Sequence, residues 1–200
     1  MLFRSRRLMA HVLAEAGEAT AFLCATPQGR PLYERVGFRP VGSVVTHVGT
    51  FRPGAADERG RSRPAVPADL PALAGYDTAA FGVDRGWLLG RLFTFGERVR
   101  LVERDGAIAG YAATWRNVDN TLVGPLVADD DAAARALLAD LAPTVDGPVR
   151  LDLDGRRTAL SGWAASHGIR PTRTVTSMVR GPALPGDRDR LVIPFMQALG

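Results

Sequence analysis

GFRPVGSVVTHV, residues 37–48, returns as GIRPTRTVTSMV at residues 168–179. Gly, Arg, Pro and two Val positions are identical at a constant offset. The segments ahead of the two matches also agree. The first reads as helix 4–16, strand 19–26, helix 30–36 and strand 39–51, with Gly17 and Gly37 stopping the helices. The second reads as a helix in DDAAARALLADLA, a strand in VRLDLD, a helix in RRTALSGWAASHG and a strand in RPTRTVTSMVRG. One supersecondary order used twice argues for two copies of one fold.

The second copy has more ahead of its matching helix: helices 69–75 and 84–94, a hairpin turned at Asp105–Gly106, and a strand in NTLVGPLVA. The first copy has no such elements, so the chain is expected to begin in the middle of its first domain. FRPGAADERGRSRPAVPADLPAL is rich in Pro, Gly and charge and carries no period, which marks a linker. The expected division is therefore 1–52, the C-terminal half of a first domain; 53–66, linker; and 67–200, a complete second domain. RLVIPFMQALG at the end is apolar without a pattern that fixes its type. The architecture this implies is α/β, a mixed sheet with flanking helices, in one partial and one complete copy.

Composition narrows the function classes. The chain has 200 residues, 46% of them apolar, enough for a real core. No apolar run approaches the roughly 18 residues of a membrane span. Leu8, Met9, Val12 and Leu13 recur at helical spacing, so the Arg-containing start reads as a core helix of a cytoplasmic protein and not as a targeting peptide. Cys24, the single cysteine, excludes an intrachain disulfide and a thiolate cluster, and inside AFLC it reads as a buried inert thiol. His11, His47 and His167 share no ligand spacing, and Asp152 and Asp154 share a strand face without a third ligand, so no metal site is expected. The net charge is +4 and all 25 basic residues are Arg. They are scattered among 21 acids without basic runs, which argues against nucleic acid as a partner.

ATPQGRPLYERVGFRPVG, residues 25–42, with the element order around it, resembles the GNAT superfamily of acetyl-CoA-dependent N-acetyltransferases. A strand, a turn, a helix with an L-Y-E-x-x-G-F pattern and a last strand occur there in this order. Leu32, Tyr33, Glu34, Gly37 and Phe38 fill the pattern. The whole chain is similar to a two-domain type whose second GNAT-like domain is divergent, on DTAAFGVDRGWLL, GPLVADDDAAARALL and MVRG. The resemblance implies acetyl-CoA as co-substrate, a small-molecule or peptide amine as acceptor, and Tyr33 as general acid toward the leaving thiolate. Placing a phenol there suits the chemistry, because a sulfur anion is expelled and an O–H can protonate it. The bland reading of Tyr33 is a packing residue whose hydroxyl bonds water or backbone.

The family's R/Q-x-x-G-x-G/A signature opens a helix whose N-terminal amides hold the pyrophosphate. Counted back from RRLM, Ser5 takes the final Gly/Ala place, where it would also serve as an N-cap. Phe3 takes the earlier Gly place, and the Arg/Gln place falls before Met1. Arg4, Arg6 and Arg7 supply positive charge there or form no more than a solvated basic face, and Gly29 and Leu32 are assigned to the cofactor side of the turn. The corresponding helix of the second domain opens on Asp129, Asp130 and Asp131. These suit a helix N-terminus but repel a pyrophosphate, so that domain is expected to be a scaffold or substrate wall. The alternative is a degenerate family member without catalysis, a binding or dimerisation module whose uncovered edges a homodimer would cover.

Overall fold

The computed structural model describes the backbone of residues 2–54 and 60–197, and side chains from Leu8 onward within those ranges. The chain runs α1 (Leu2–Ala16), β1 (Ala21–Ala25), α2 (Arg30–Arg35) and β2 (Arg39–Gly49). After the connection come β3 (Arg63–Pro64), α3 (Leu70–Phe81), α4 (Gly86–Phe95), β4 (Arg98–Arg104), β5 (Ala107–Arg116) and β6 (Thr121–Ala128). The remainder is α5 (Asp131–Leu141), β7 (Val149–Asp154), α6 (Thr158–Ser166), β8 (Arg170–Arg180) and β9 (Leu191–Ile193).

Among the described residues, the strands form one sheet in the order β1-β8-β2-β7-β6-β5-β4-β3, with β9 paired to β6. Among the described residues only β6 and β7 pair in parallel. The expected mixed α/β sheet with flanking helices is present, but its strands do not segregate by chain segment. The matched strands β2 and β8 lie side by side, antiparallel. β8 also pairs with β1, from Ala21 opposite Arg180 to Ala25 opposite Thr176, and β2 also pairs with β7. The order is therefore symmetric about the β2–β8 contact: β8 lies between β1 and β2, and β2 lies between β8 and β7.

The glycines of the repeat explain why both segments turn alike. Gly37 sits at φ 91° and Gly168 at φ 89°, a region open to glycine. Phe38 N–H bonds the Tyr33 carbonyl at 3.1 Å and Gly37 N–H the Glu34 carbonyl at 3.1 Å. The second turn repeats this: Ile169 N–H to the Ala164 carbonyl at 3.0 Å, and Gly168 N–H to the Ala165 carbonyl at 3.1 Å. This double bond closes a helix C-terminus and aims the next strand back along the sheet.

Around β4–β7 the core has two sides. Leu137, Leu138 and Leu141 of α5 and Leu160 of α6 pack on Val123, Leu151 and Leu153. On the other side Leu73, Leu89 and Leu92 of α3 and α4 cover Leu101, Tyr111 and Val127. A third cluster joins Met9 and Leu13 of α1 to Ala25, Phe38 and Met178. The helical stripe at the chain start is narrower than its spacing suggests, since Leu8 and Val12 are exposed.

Two further differences from the sequence reading have tertiary causes. The linker is aperiodic, yet its end is fixed: Arg63–Pro64 pairs with β4, and Asp140 accepts from Gly60 N–H, Ser62 N–H and Ser62 Oγ at 2.6–2.9 Å. Arg63 also bridges Asp69 and Glu103, and its guanidinium, with the Val66 N–H, lowers the Asp69 carboxyl to about 2. The unassigned C-terminal stretch follows directly on a short 3₁₀ turn, Arg188–Arg190, and opens with β9. By contrast the Asp105–Gly106 hairpin forms as expected, both residues at positive φ (53° and 77°). Cys24 is partly buried, its Sγ 4.0 Å from Ser177 Oγ, and burial pushes the thiol's pKa up.

Candidate active site

Tyr33 stands just beyond the end of β1. The turn that carries it is built on Thr26, whose carbonyl accepts from Gly29 N–H at 3.0 Å and Arg30 N–H at 2.9 Å. Pro31 at the start of α2 removes a donor that would otherwise lack a partner. Because α2 is only 6 residues long, Tyr33 also belongs to its C-terminal closure. Its ring meets Phe38 edge-on, centroids 6.0 Å apart, and packs against the buried cluster of Leu13, Ala25, Phe38 and Met178. A Cβ added to Gly29 would come 3.4 Å from the Tyr33 ring, so Gly29 is the near wall of the phenol. Leu32 is partly buried, and Glu34 pairs outward with Arg30 at 2.7 Å. The L-Y-E-x-x-G-F pattern thus has a structural content: Gly37 makes the turn and Phe38 fixes the tyrosine ring. Among the described residues the Tyr33 hydroxyl has no hydrogen-bond partner, so the ring is held by packing alone.

The expected pyrophosphate cradle is placed in part. Helix α1 starts at Leu2, so Ser5 lies inside its first turn and does not cap it. The side chains of Arg4, Ser5, Arg6 and Arg7 lie outside the described residues.

In the later segment Asp130 caps α5, accepting from Ala133 N–H at 2.8 Å, and that bond holds its carboxyl below the usual range. Asp129 accepts from the Tyr76 hydroxyl and from Arg190, and Asp131 pairs with Arg157 at 3.0 Å. Beyond this acidic end, β6 and β7 pair over only Thr121–Val123 and Val149–Leu151 and then part. β9 pairs with β6 past that point, Leu126 opposite Ile193 and Val127 opposite Leu191. The tail lies close: a Cβ on Gly124 would come within 2.7 Å of the Pro194 carbonyl oxygen. Where two parallel strands part, the protein's own C-terminal strand takes up the backbone edge.

A cleft missed from the sequence opens on the face of β2 and β8 away from α1 and α2, under residues 183–194. Its outer chamber, about 260 Å³, is lined by Arg39, Ser43, Asp154, Arg156, Ser177 and Arg188. An inner, mostly apolar chamber of about 90 Å³ continues it between Phe22, Val44, Leu184, Leu191 and Val192, with Asp154, Arg188 and Gln197 also on its wall. Val41, which lines both, sits at the register break between Pro40 and Gly42 and stays 47% exposed. Such bulges re-aim side chains beside binding sites. Alternation along β2 and β8 was the one signal in the sequence, but Arg188 arrives from a segment with no pattern. Among the described residues no three or more His, Cys, Asp or Glu side chains come together as a metal site.

The family model described as an acetyltransferase (GNAT) domain matches residues 73–192, and the chain belongs to that family. Over 198 residues the chain is 32% identical to the uncharacterized N-acetyltransferase YitH of Bacillus subtilis, covering 98% of this chain and 70% of that protein. A putative acetyltransferase of Pyrococcus horikoshii has a similar structure, with a TM-score of 0.74 at 19% identity over 97% of this chain. A GCN5-related N-acetyltransferase of Anabaena variabilis gives 0.56 at 16% identity over 88% of this chain. This chain spans 64% and 50% of those two solved chains. The family match lies on the later segment, whereas the L-Y-E-x-x-G-F pattern lies on the earlier one.

Among the described residues no helix is long and apolar enough to cross a membrane.

Proposed function

We propose that the protein is an N-acetyltransferase that moves acetyl from acetyl-CoA to an amine by direct attack, with Tyr33 as general acid. The observation that carries this reading is the Tyr33 phenol, clamped by Phe38 and Gly29 at the end of β1 with its hydroxyl uncommitted among the described residues. The amine nitrogen attacks the thioester carbonyl carbon and the C–S bond breaks. Tyr33 gives its proton to the departing sulfur, and the proton lost by the nitrogen passes to water, from which Tyr33 is restored. Residues 4–7 on α1, with Gly29 and Leu32, form the cofactor side in this reading. The β9 strand beside β6 and the three aspartates at the start of α5 support a scaffold role for the later segment.

The same reading takes residues 1–52 as a partial copy of the fold, 53–66 as its connection and 67–200 as a complete copy. The matched closures at Gly37 and Gly168 support it, as does the symmetric order β1-β8-β2-β7. The acceptor is a small-molecule or peptide amine.

Calorimetric titration of acetyl-CoA into the chain, followed by thiol release with a panel of amines, tests this. Micromolar binding that weakens with Arg6→Glu and Arg7→Glu is expected. Folded protein that binds no acetyl-CoA would leave a binding or dimerisation module in its place.

A further inference from the structure

The cleft between the β2–β8 face and the returning tail holds an arginine that the fold leaves uncompensated. Three guanidinium side chains line the outer chamber, and one is fully committed. Arg156 takes both oxygens of Asp154, at 2.9–3.2 Å, and also bonds the Asp189 carboxylate and the Arg188 carbonyl. Asp154, the acid of the chamber, is thereby neutralised; its Oδ1 also accepts from Arg156 N–H. Arg39 and Arg188 form no ion pair among the described residues.

Arg188 is the more telling of the two. Its Nη1 is shut off from solvent without a hydrogen-bond partner among the described residues. Its guanidinium lies 5.1 Å from the Phe81 ring, which Arg85 also contacts at 3.8 Å. Burial, then repulsion from Arg85 and Arg156, lowers its proton affinity, and Asp154 offsets this only in part. Arg188 as a whole is half-buried and lines the cleft; a desolvated guanidinium with an unused donor is costly to maintain, and an anion placed on its cleft side offsets that cost.

The position of Arg188 is specified from two directions. Gly82 and Gly186 approach so closely that a Cβ on Gly82 would lie 2.4 Å from Gly186 N, and both adopt positive φ. Asp187 N–H bonds the Ala79 carbonyl at 3.1 Å, so the segment before Arg188 is pinned to the end of α3. Arg156 and Arg157 hold the segment after it, through Asp189. The guanidinium therefore sits at the junction of a polar outer chamber and an apolar inner one.

We propose that this cleft binds a short aliphatic monocarboxylate group, its carboxylate on Arg188 and Arg39 and its chain in the pocket of Phe22, Val44, Leu191 and Val192. A planar guanidinium matches a carboxylate with two parallel bonds, and the apolar inner chamber admits a chain while excluding a second charge. Ser43 and Ser177 line the outer chamber, with hydroxyls able to donate to a carboxylate oxygen. The assignment is independent of the transferase reading, because it needs neither acetyl-CoA nor Tyr33.

Calorimetric titration of the full chain with hexanoate, hexanamide and inorganic phosphate tests it, without acetyl-CoA. Hexanoate is expected to bind, hexanamide to bind at least about tenfold more weakly, and Arg188→Gln to lower hexanoate affinity by about the same factor. Arg39→Gln changes an exposed residue and keeps the test open if Arg188→Gln fails to fold; it is expected to weaken hexanoate severalfold, with melting temperature unchanged. Equal binding of hexanoate and hexanamide would overturn the proposal, and so would hexanoate affinity untouched in both variants. Phosphate competing as tightly as hexanoate would also overturn it, since the apolar chamber would then contribute nothing.

Discussion

Asp77→Ala is expected to be among the most damaging single substitutions, and its cost follows from the structure. Asp77 on α3 is fully buried, and Arg85, which it pairs with, is 6% exposed. Arg85 donates from Nε at 2.9 Å and Nη2 at 2.7 Å, and the Tyr111 hydroxyl donates at 2.5 Å. The truncation takes the carboxylate from a buried guanidinium, costing about 3–5 kcal/mol. It also removes the acceptor of the buried Tyr111 hydroxyl, for about 1–3 kcal/mol more. The two share one carboxylate and relax together, so they do not add fully. A net loss of about 4 kcal/mol is a large part of the stability of an ordinary domain. At this chain length it lowers the melting temperature by roughly 12 °C. Scanning calorimetry and urea unfolding of the wild type and variant measure it. The combination Asp77→Leu, Arg85→Met, Tyr111→Phe removes every charge and orphaned group together, and is expected to recover more than half of the loss. A shift under about 3 °C for Asp77→Ala, or a combination as unstable as the single variant, would refute the reasoning. The cluster also sets Phe81, the ring beneath Arg188. Asp77→Ala should therefore weaken hexanoate binding while the protein is still folded.

Tyr33→Phe keeps the ring packing on Phe38 and removes only the proton donor. Turnover in the amine panel should fall about 100-fold with acetyl-CoA affinity unchanged, as read by thiol release and calorimetry. Gly49→Ala should be strongly destabilising in urea, since its Cβ would lie 2.0 Å from the Gly168 carbonyl oxygen where β2 passes the second turn; Gly42→Ala, with open space around it, is the control. His47 is buried, accepts from or donates to Ser161 Oγ at 2.7 Å, and bonds the Val45 carbonyl; burial lowers its pKa below 6.5. The unfolded chain therefore takes up the proton first. The His47 contribution is fully present above pH 6.5 and is lost as pH falls through the lowered folded value. Urea midpoints measured from about pH 8 down to about pH 5 should drop more steeply in the wild type than in His47→Gln.

Much of the local structure was legible because it rests on near neighbours. The Asp105–Gly106 hairpin, the Asp130 cap and the helix stops at Gly37 and Gly168 use residue types that few other conformations favour. Tyr33 could be singled out because its pattern spans only seven positions, and the same seven build the closure that holds it. The exposed Leu8 and Val12 show the limit, since spacing gives an apolar stripe and not what covers it. Arg188 shows it more sharply. Nothing in GPALPGDRDR distinguishes that arginine from the others; its meaning comes from Phe81, Gly82 and Asp154, all more than thirty positions away.

The sequence by itself determined that the chain would use one strand–helix–strand unit twice, because the glycine turn and its flanking residues carry their own conformational preference. It also determined where a phenol would be mounted. Only the tertiary structure decided that β2 and β8 pair with each other and lie between the other segment's strands, that β9 lies along β6 where β7 departs, and that Arg188 is half-buried with no ion pair among the described residues. The physical reason is the range of the interactions. A turn or a cap is settled within a few residues. Strand order, edge pairing and the compensation of a buried charge depend on which distant backbone or side chain arrives, and that is a property of the whole fold.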